Sequence, residues 1–291
     1  MPICRFHTGD PADARIGLLD GDRVFPFSSE TGPASMQDLL RLPKAEMDAE
    51  IGRVRDSGAA PIRAGDAILL APIDTQEVGA CGVTYLRSRD ARMEESTEED
   101  VYERVYRAER PELFFKATAS RVTGPGQPVA IRSDSTWDVT EPEIALVINA
   151  YEEVVGYTVG NDMSSRSIEG ENPLYLPQAK MYTACAGLGP VIALADEVAD
   201  PRALDVKLTI DRGGDTLFEG ETSTGQMARP FEDLVEYLHR HNAFPNGVFL
   251  MTGTGIIPPS EFTLEDGDVV SIAIDSIGTL TQPVRRLPAD A

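Results

Sequence analysis

The chain has 291 residues, enough to bury a large core as one big domain or as a small domain plus a larger one. Hydrophobic residues make up 42%, which excludes global disorder, and the formal charge of −22 speaks against nucleic acid or an anionic membrane as partner. Cys4, Cys81 and Cys185 are odd in number and widely spaced, which argues against a disulfide framework or a CxxC metal knuckle and places the chain in a reducing cytoplasm.

The N-terminal MPICRFHTGD lacks a basic stretch followed by an apolar one, so it does not read as a signal peptide, and no apolar run is long enough to span a bilayer. Residues 1–70 read as short strands and turns with one helix. IGLLDGDRVFPF predicts a hairpin around Asp20-Gly21-Asp22, and SMQDLLRL a short amphipathic helix capped by Ser35. Ala71-Pro72-Ile73 marks a junction between a small N-terminal domain (1–72) and a larger one (73–291). EVGACGVTY reads as a buried strand. The charged stretch 90–110, with Val101/Val105 and Tyr102/Tyr106 at i,i+4, reads as a surface helix. Strands broken by the Gly124-Pro125-Gly126 turn occupy 111–160, and Ser164–Glu169 offers one helical turn. Further on, 203–210 reads as a strand, 230–241 as an amphipathic helix, GVFLMTGTGIIPP as a buried strand ending in a turn, and Leu264–Ile274 as a strand. Strands outnumber helices without alternating with them, which predicts an α+β fold.

The segment EPEIALVINAYEEVVGYTVGND carries the most chemistry. Ile144–Ile148 and Val154–Val159 are β-branched runs, and Asn149–Glu153 between them is a turn. Folding about Tyr151/Glu152 sets Glu141 opposite Asp162 and Glu143 opposite Gly160. Opposed residues share a face, as do residues two apart, so Glu141, Glu143 and Asp162 converge. Three such carboxylates repel one another unless a proton or cation intervenes, and oxygen-only ligation suits Mg²⁺, Mn²⁺ or Ca²⁺ better than zinc.

Two of only four lysines, Lys116 and Lys180, lie in apolar surroundings, where an ammonium needs a carboxylate partner. Glu112 precedes Lys116 by one helical turn, or shares its strand face. His7, His239 and His241 all lie outside the carboxylate region, so a Ser–His–Asp triad or a His-rich zinc site has little support. Proton transfer then rests on Lys, Glu, Tyr or metal-bound water. Thr252-Gly253-Thr254-Gly255 ends a strand where backbone can approach a ligand carboxylate, with Thr254 as donor.

In order, the chain shows G-x-x-Y at 82–85, E-x-E, G-Y-T-x-x-N-D-x-S-x-R, a lysine, G-x-G-P, T-G-T-G and L-x-x-G-D-x-V with a terminal I-G-T-L. Over about residues 75–288 this resembles the fumarylacetoacetate hydrolase superfamily. The resemblance implies a mixed β-roll catalytic domain behind a small N-terminal α/β domain, assembled as a homodimer or homotetramer. It also implies Mg²⁺ on Glu141, Glu143 and Asp162, and a 2-oxo acid substrate. Hydrolytic and decarboxylating members carry a histidine where this chain has Ser88 and a glutamate where it has Ala91, so the dyad that activates water is missing. Glu171–Lys180, ENPLYLPQAK, instead resembles the branch of 2-keto-3-deoxy-pentonate dehydratases. That branch implies metal-dependent dehydration to 2,5-dioxopentanoate, with Lys180 and Glu112 as base and acid in either order, and Tyr85, Arg87, Ser88, Lys116 and Thr254 against the substrate. Two alternatives stand beside it. One is an acylpyruvate hydrolase or oxaloacetate decarboxylase on the same scaffold, favoured if folding brings in another histidine or glutamate. The other is a non-catalytic acidic protein that binds metal or a 2-oxo acid.

Overall fold

The two apolar runs flanking Asn149–Glu153 form the central hairpin of a computed structural model that describes residues 1–28, 32–58, 60–95 and 99–289. Ala91, Val101 and Tyr102, which entered the sequence readings, have side chains outside the described set. In chain order the strands are β1 (Ile3–His7), β2 (Arg15–Asp20), β3 (Arg23–Pro26), β4 (Ile62–Arg63), β5 (Ile68–Leu70), β6 (Glu77–Gly82), β7 (Glu112–Thr118), β8 (Val122–Thr123), β9 (Val129–Ile131) and β10 (Asp138–Val139). There follow β11 (Pro142–Ile148), β12 (Val154–Asp162), β13 (Ser164–Ser165), β14 (Ala186–Leu194), β15 (Asp205–Arg212), β16 (Asp215–Ser223), β17 (Val248–Met251), β18 (Val269–Ile274) and β19 (Gly278–Arg286). The helices are α1 (Met36–Leu40), α2 (Lys44–Asp56), α3 (Leu86–Glu95), α4 (Glu99–Arg107), α5 (Arg166–Glu171), α6 (Leu176–Lys180) and α7 (Phe231–His239).

The α+β class holds, and the sheets are open. The large one runs β4-β3-β2-β1-β14-β12-β11-β17-β6-β7, with β5 added against β1 and β8 against β14; a second runs β16-β15-β18-β19-β9. The central hairpin has the register that its pattern predicts: Glu143 pairs with Gly160 and Pro142 with Asn161. Every residue of β11 is buried, because the sheet is covered on both faces. Each fully buried aliphatic side chain there contributes about 1.5–3 kcal/mol.

Several local signals do what they predict. Asp20 pairs with Arg23 across a two-residue turn. Ser35 Oγ accepts from the Asp38 amide at 3.1 Å and starts α1. The region 90–110 is not one helix but two, α3 and α4. Residues 1–70 hold a second helix, α2, that the expectation of one helix missed. Its buried Met47, Ile51 and Val54 recur at helical spacing, but charged residues between them mask the stripe. The N-terminal strands are continuous with the rest: Ile3 pairs with Ile192 of β14, and one apolar core draws on residues on both sides of Pro72.

The second sheet meets the first through a buried polar chain. Asn161 Nδ2 donates to Gln282 Oε1 at 3.2 Å, and Gln282 Nε2 donates to Thr123 Oγ1 at 2.8 Å. Thr140 Oγ1 donates to Asn161 Oδ1 at 2.6 Å. Asn161 is thereby held on one face of β12 while its neighbour Asp162 projects to the other.

The short β10–β13 pair lies beside this hairpin and buries Asp138 opposite Ser165. Burial pushes the Asp138 carboxyl up to about 6, against the pull of Ser135 and Arg286. The folded group therefore keeps its proton to higher pH than the unfolded one. Its contribution to stability is present below the ordinary value of 3.8 and is lost as pH rises through about 6. Asp138→Asn is expected to stabilise the fold at pH 8 by about 2 kcal/mol and to flatten the pH dependence between those limits. Urea unfolding of both proteins at pH 4 and pH 8 checks this; an equal or less stable variant at pH 8 contradicts it.

Candidate active site

The end of the central hairpin brings three carboxylates together. The Glu141 and Asp162 backbones hydrogen-bond each other in both directions, at 3.2 and 3.0 Å. One carboxylate oxygen from each of Glu141, Glu143 and Asp162 falls within 4.8 Å of the other two, and all three residues are buried.

Three cations reach this cluster from other elements. Lys180, ending α6, places Nζ 2.9 Å from Glu141 Oε2 and 2.9 Å from Asp162 Oδ2. Lys116 of β7, fully buried, places Nζ 2.6 Å from Asp162 Oδ1 as an ion pair and donates to the carbonyls of Met163 and Lys180 at 2.8 and 2.6 Å. Arg166, opening α5, lies 2.9 Å from Glu141 Oε1, which also accepts from Ser164 Oγ at 3.0 Å. Glu143 differs: its Oε2 accepts from the Gly253 amide at 2.6 Å, and its Oε1 is buried with no hydrogen-bond partner among the described residues. Burial first, then the neighbouring Asp162 and Glu141, push its carboxyl well above the ordinary range.

A buried carboxylate oxygen without a partner, beside two more carboxylates, fits a hard cation. Glu141, Glu143 and Asp162 are the residues that would hold it. Gly253 is what lets the backbone approach: its φ is +93°, and a Cβ there would lie 2.1 Å from Thr84 Oγ1.

A narrow cleft opens onto these groups. Ser88, Glu112, Thr254, Glu141 and Lys180 all line it. Glu112 enters over Gly82, where a Cβ would stand 2.0 Å from Glu112 Oε2. The other three expected substrate residues sit elsewhere. Tyr85 is buried outside the cleft's lining, bridged to Met227, and burial raises its hydroxyl pKa. Arg87 is exposed on α3. Lys116 stands behind Asp162 with its donors committed to the contacts above.

Sequence reasoning missed four residues of the wall and its support: Ser164, Arg166, Phe114 and Glu169. Ser164 and Arg166 were read only as family motif letters, although a polar residue two after Asp162 shares its strand face. Phe114 stands two residues after Glu112 in β7, the same signal. Glu169 is buried and lines the cleft from the first turn of α5; no local pattern marks it.

Residues 88–285 match the family described as fumarylacetoacetate (FAA) hydrolase C-terminal. A probable 2-keto-3-deoxyxylonate dehydratase of Haloferax volcanii is 50% identical over 213 residues, 73% of this chain and 73% of the relative. A 2-dehydro-3-deoxy-D-arabinonate dehydratase of Saccharolobus solfataricus is 44% identical over 225 residues, 76% of each chain. The solved structure of a 2-keto-3-deoxy-D-arabinonate dehydratase complexed with magnesium and 2,5-dioxopentanoate superimposes with a TM-score of 0.81 at 34% identity, covering 99% of both chains.

The cation contest at the carboxylates is measurable without turnover. Glu143→Gln is expected to weaken Mn²⁺ binding at least about 100-fold, since it removes a charged ligand. Lys180→Met is expected to tighten it, since a tethered competing cation is gone. Calorimetric titration checks both; unchanged affinity in Glu143→Gln would place the metal elsewhere.

Proposed function

We propose an activity from a fixed premise: this chain belongs to the fumarylacetoacetate hydrolase family. The activity is metal-dependent dehydration of a 2-keto-3-deoxy-pentonate, of arabinonate or xylonate type, to 2,5-dioxopentanoate in oxidative pentose degradation. Relatives named for this dehydration support it, and so does a structural neighbour holding magnesium and that product. The observation that carries it is the position of Lys180. Its Nζ touches two of the three candidate metal ligands at 2.9 Å, in a cleft that Glu112 also lines.

Mg²⁺ on Glu141, Glu143 and Asp162, with Mn²⁺ or Ca²⁺ as possible substitutes, supplies Lewis acidity to a bound 2-oxo acid. Lys180 as the free amine removes a proton from C3. Lys180 already faces two carboxylates as their counterion, and a divalent ion held there would favour loss of its proton by like-charge repulsion. Glu112, protonated, gives its proton to the departing C4 hydroxyl, which leaves as water. Loss of a C5 proton and of the C5 hydroxyl proton, with return of protons to C3 and C4, then makes the aldehyde. Ser88 and Thr254 orient the substrate from the cleft; Tyr85 and Arg87, outside its lining, are left without a direct contact. Lys116 fixes Asp162.

The hydrolase alternative keeps one support, since folding brings Glu169 into the cleft, although no histidine lines it among the described residues; the relatives named for dehydration weigh against it. No described helix is long and apolar enough to cross a membrane. The three cysteines are unpaired, which supports a reducing cytoplasm. The working form is taken as a homodimer or homotetramer, with residues 1–72 as its small N-terminal domain and 73–291 carrying the chemistry.

Incubation with 2-keto-3-deoxy-arabinonate and -xylonate is expected to yield 2,5-dioxopentanoate with Mg²⁺ and none with chelator. Lys180→Ala is expected to lose at least about 1,000-fold in turnover while still binding Mn²⁺. Pyruvate as product would mean C–C cleavage instead, and near-normal turnover in Lys180→Ala would remove its role as base.

A further inference from the structure

We infer that Phe114 makes the site selective for 3-deoxy acids by setting an aromatic wall beside the substrate's C3. This rests on the dehydratase reading above. Glu112 and Phe114 lie two residues apart on β7 and project to the same face, and both line the cleft with Lys180. The Phe114 ring centroid lies 5.8 Å from Lys180 Nζ. A base that takes the C3 proton must come within hydrogen-bond reach of it. The ring that flanks the base therefore flanks C3 as well. Leu176 stands one helical turn before Lys180 on α6 and also lines the cleft, adding a second apolar side chain on that side. Ser88 and Thr254, the neutral hydrogen-bonding side chains of the cleft, come from other elements.

The elimination itself does not demand a deoxy carbon. A C3 that carries a hydroxyl still has one proton to give and a C4 hydroxyl to lose. Selectivity must then come from recognition. A hydroxyl turned from C3 toward Phe114 and Leu176, away from Lys180, leaves water and meets no hydrogen-bonding group on either side chain. A pocket that is only apolar rejects an added hydroxyl by roughly 100-fold, and that is the effect assigned to Phe114.

Two small probes isolate it: 2-oxobutanoate and 3-hydroxy-2-oxobutanoate, which share the carboxylate and 2-oxo group and differ only by the C3 hydroxyl. Their affinities for the Mg²⁺-loaded full chain are measured by calorimetry. The unaltered protein is expected to favour 2-oxobutanoate by about 100-fold. Phe114→Asn is expected to narrow the ratio to under about 10-fold, and Phe114→Leu to keep it, since only the former offers hydrogen bonds. Phe114→Ser serves as a second polar variant, with Mn²⁺ binding as the control for an intact site. A ratio unchanged in both polar variants, or absent in the unaltered protein, overturns the inference. Turnover of 2-keto-3-deoxy-pentonate by the unaltered protein is followed in parallel. If turnover is present while the ratio does not respond, this inference alone fails; if turnover is absent, the dehydratase reading fails and takes this inference with it.

Discussion

Three buried carboxylates at one hairpin end are tolerable only because cations are brought to them from elsewhere in the chain. Burying an ion without a partner costs several kcal/mol. Glu141 and Asp162 meet that cost with Lys116 from β7, Arg166 from α5 and Lys180 from α6. This constraint decides where those elements sit. β7 must pass close enough to deliver an ammonium to Asp162, and α5 and α6 must fold back over the hairpin although both are short. Lys116 also ties the layers together through the carbonyls of Met163 and Lys180. Glu143 stands apart, held by a backbone amide and raised in pKa, with one oxygen still to be satisfied.

The hairpin was legible because its information is local. Two β-branched runs and one turn fix the register, and the period of two then sends Glu141, Glu143 and Asp162 to one face. The same rule places Glu112 and Phe114 together. It also separates Asn161 from Asp162: adjacent in sequence, the first belongs to a buried amide network and the second to the charged cluster. The pairing of Lys116 and Lys180 with carboxylates followed from the cost of burial, but which carboxylate each meets did not.

What the sequence did not disclose depends on contacts between distant segments. Ile3 meets Ile192 across more than half of the chain, and nothing in either strand announces the other. Glu169 reaches the cleft because α5 turns back after β13, a path set by Arg166 and by the Ser165 cap. Arg87 and Tyr85 stand two residues apart, yet one is exposed and the other buried, because the chain passes from a bridge with Met227 into α3 between them. α2 hid its apolar stripe among charges that face solvent.

The ammonium of Lys180 spans two carboxylates on a tether of four methylenes, so the cluster carries its own counterion. A tethered ion competes intramolecularly, so it is present at the site whatever the concentration of dissolved ions. Sodium or potassium gains little by exchange, because each offers the same single charge that the ammonium already provides. A divalent ion offers twice that charge and can displace it. In a protein whose net charge of −22 gathers counterions over its whole surface, this built-in placeholder turns a general attraction for cations into a choice by valence at one point.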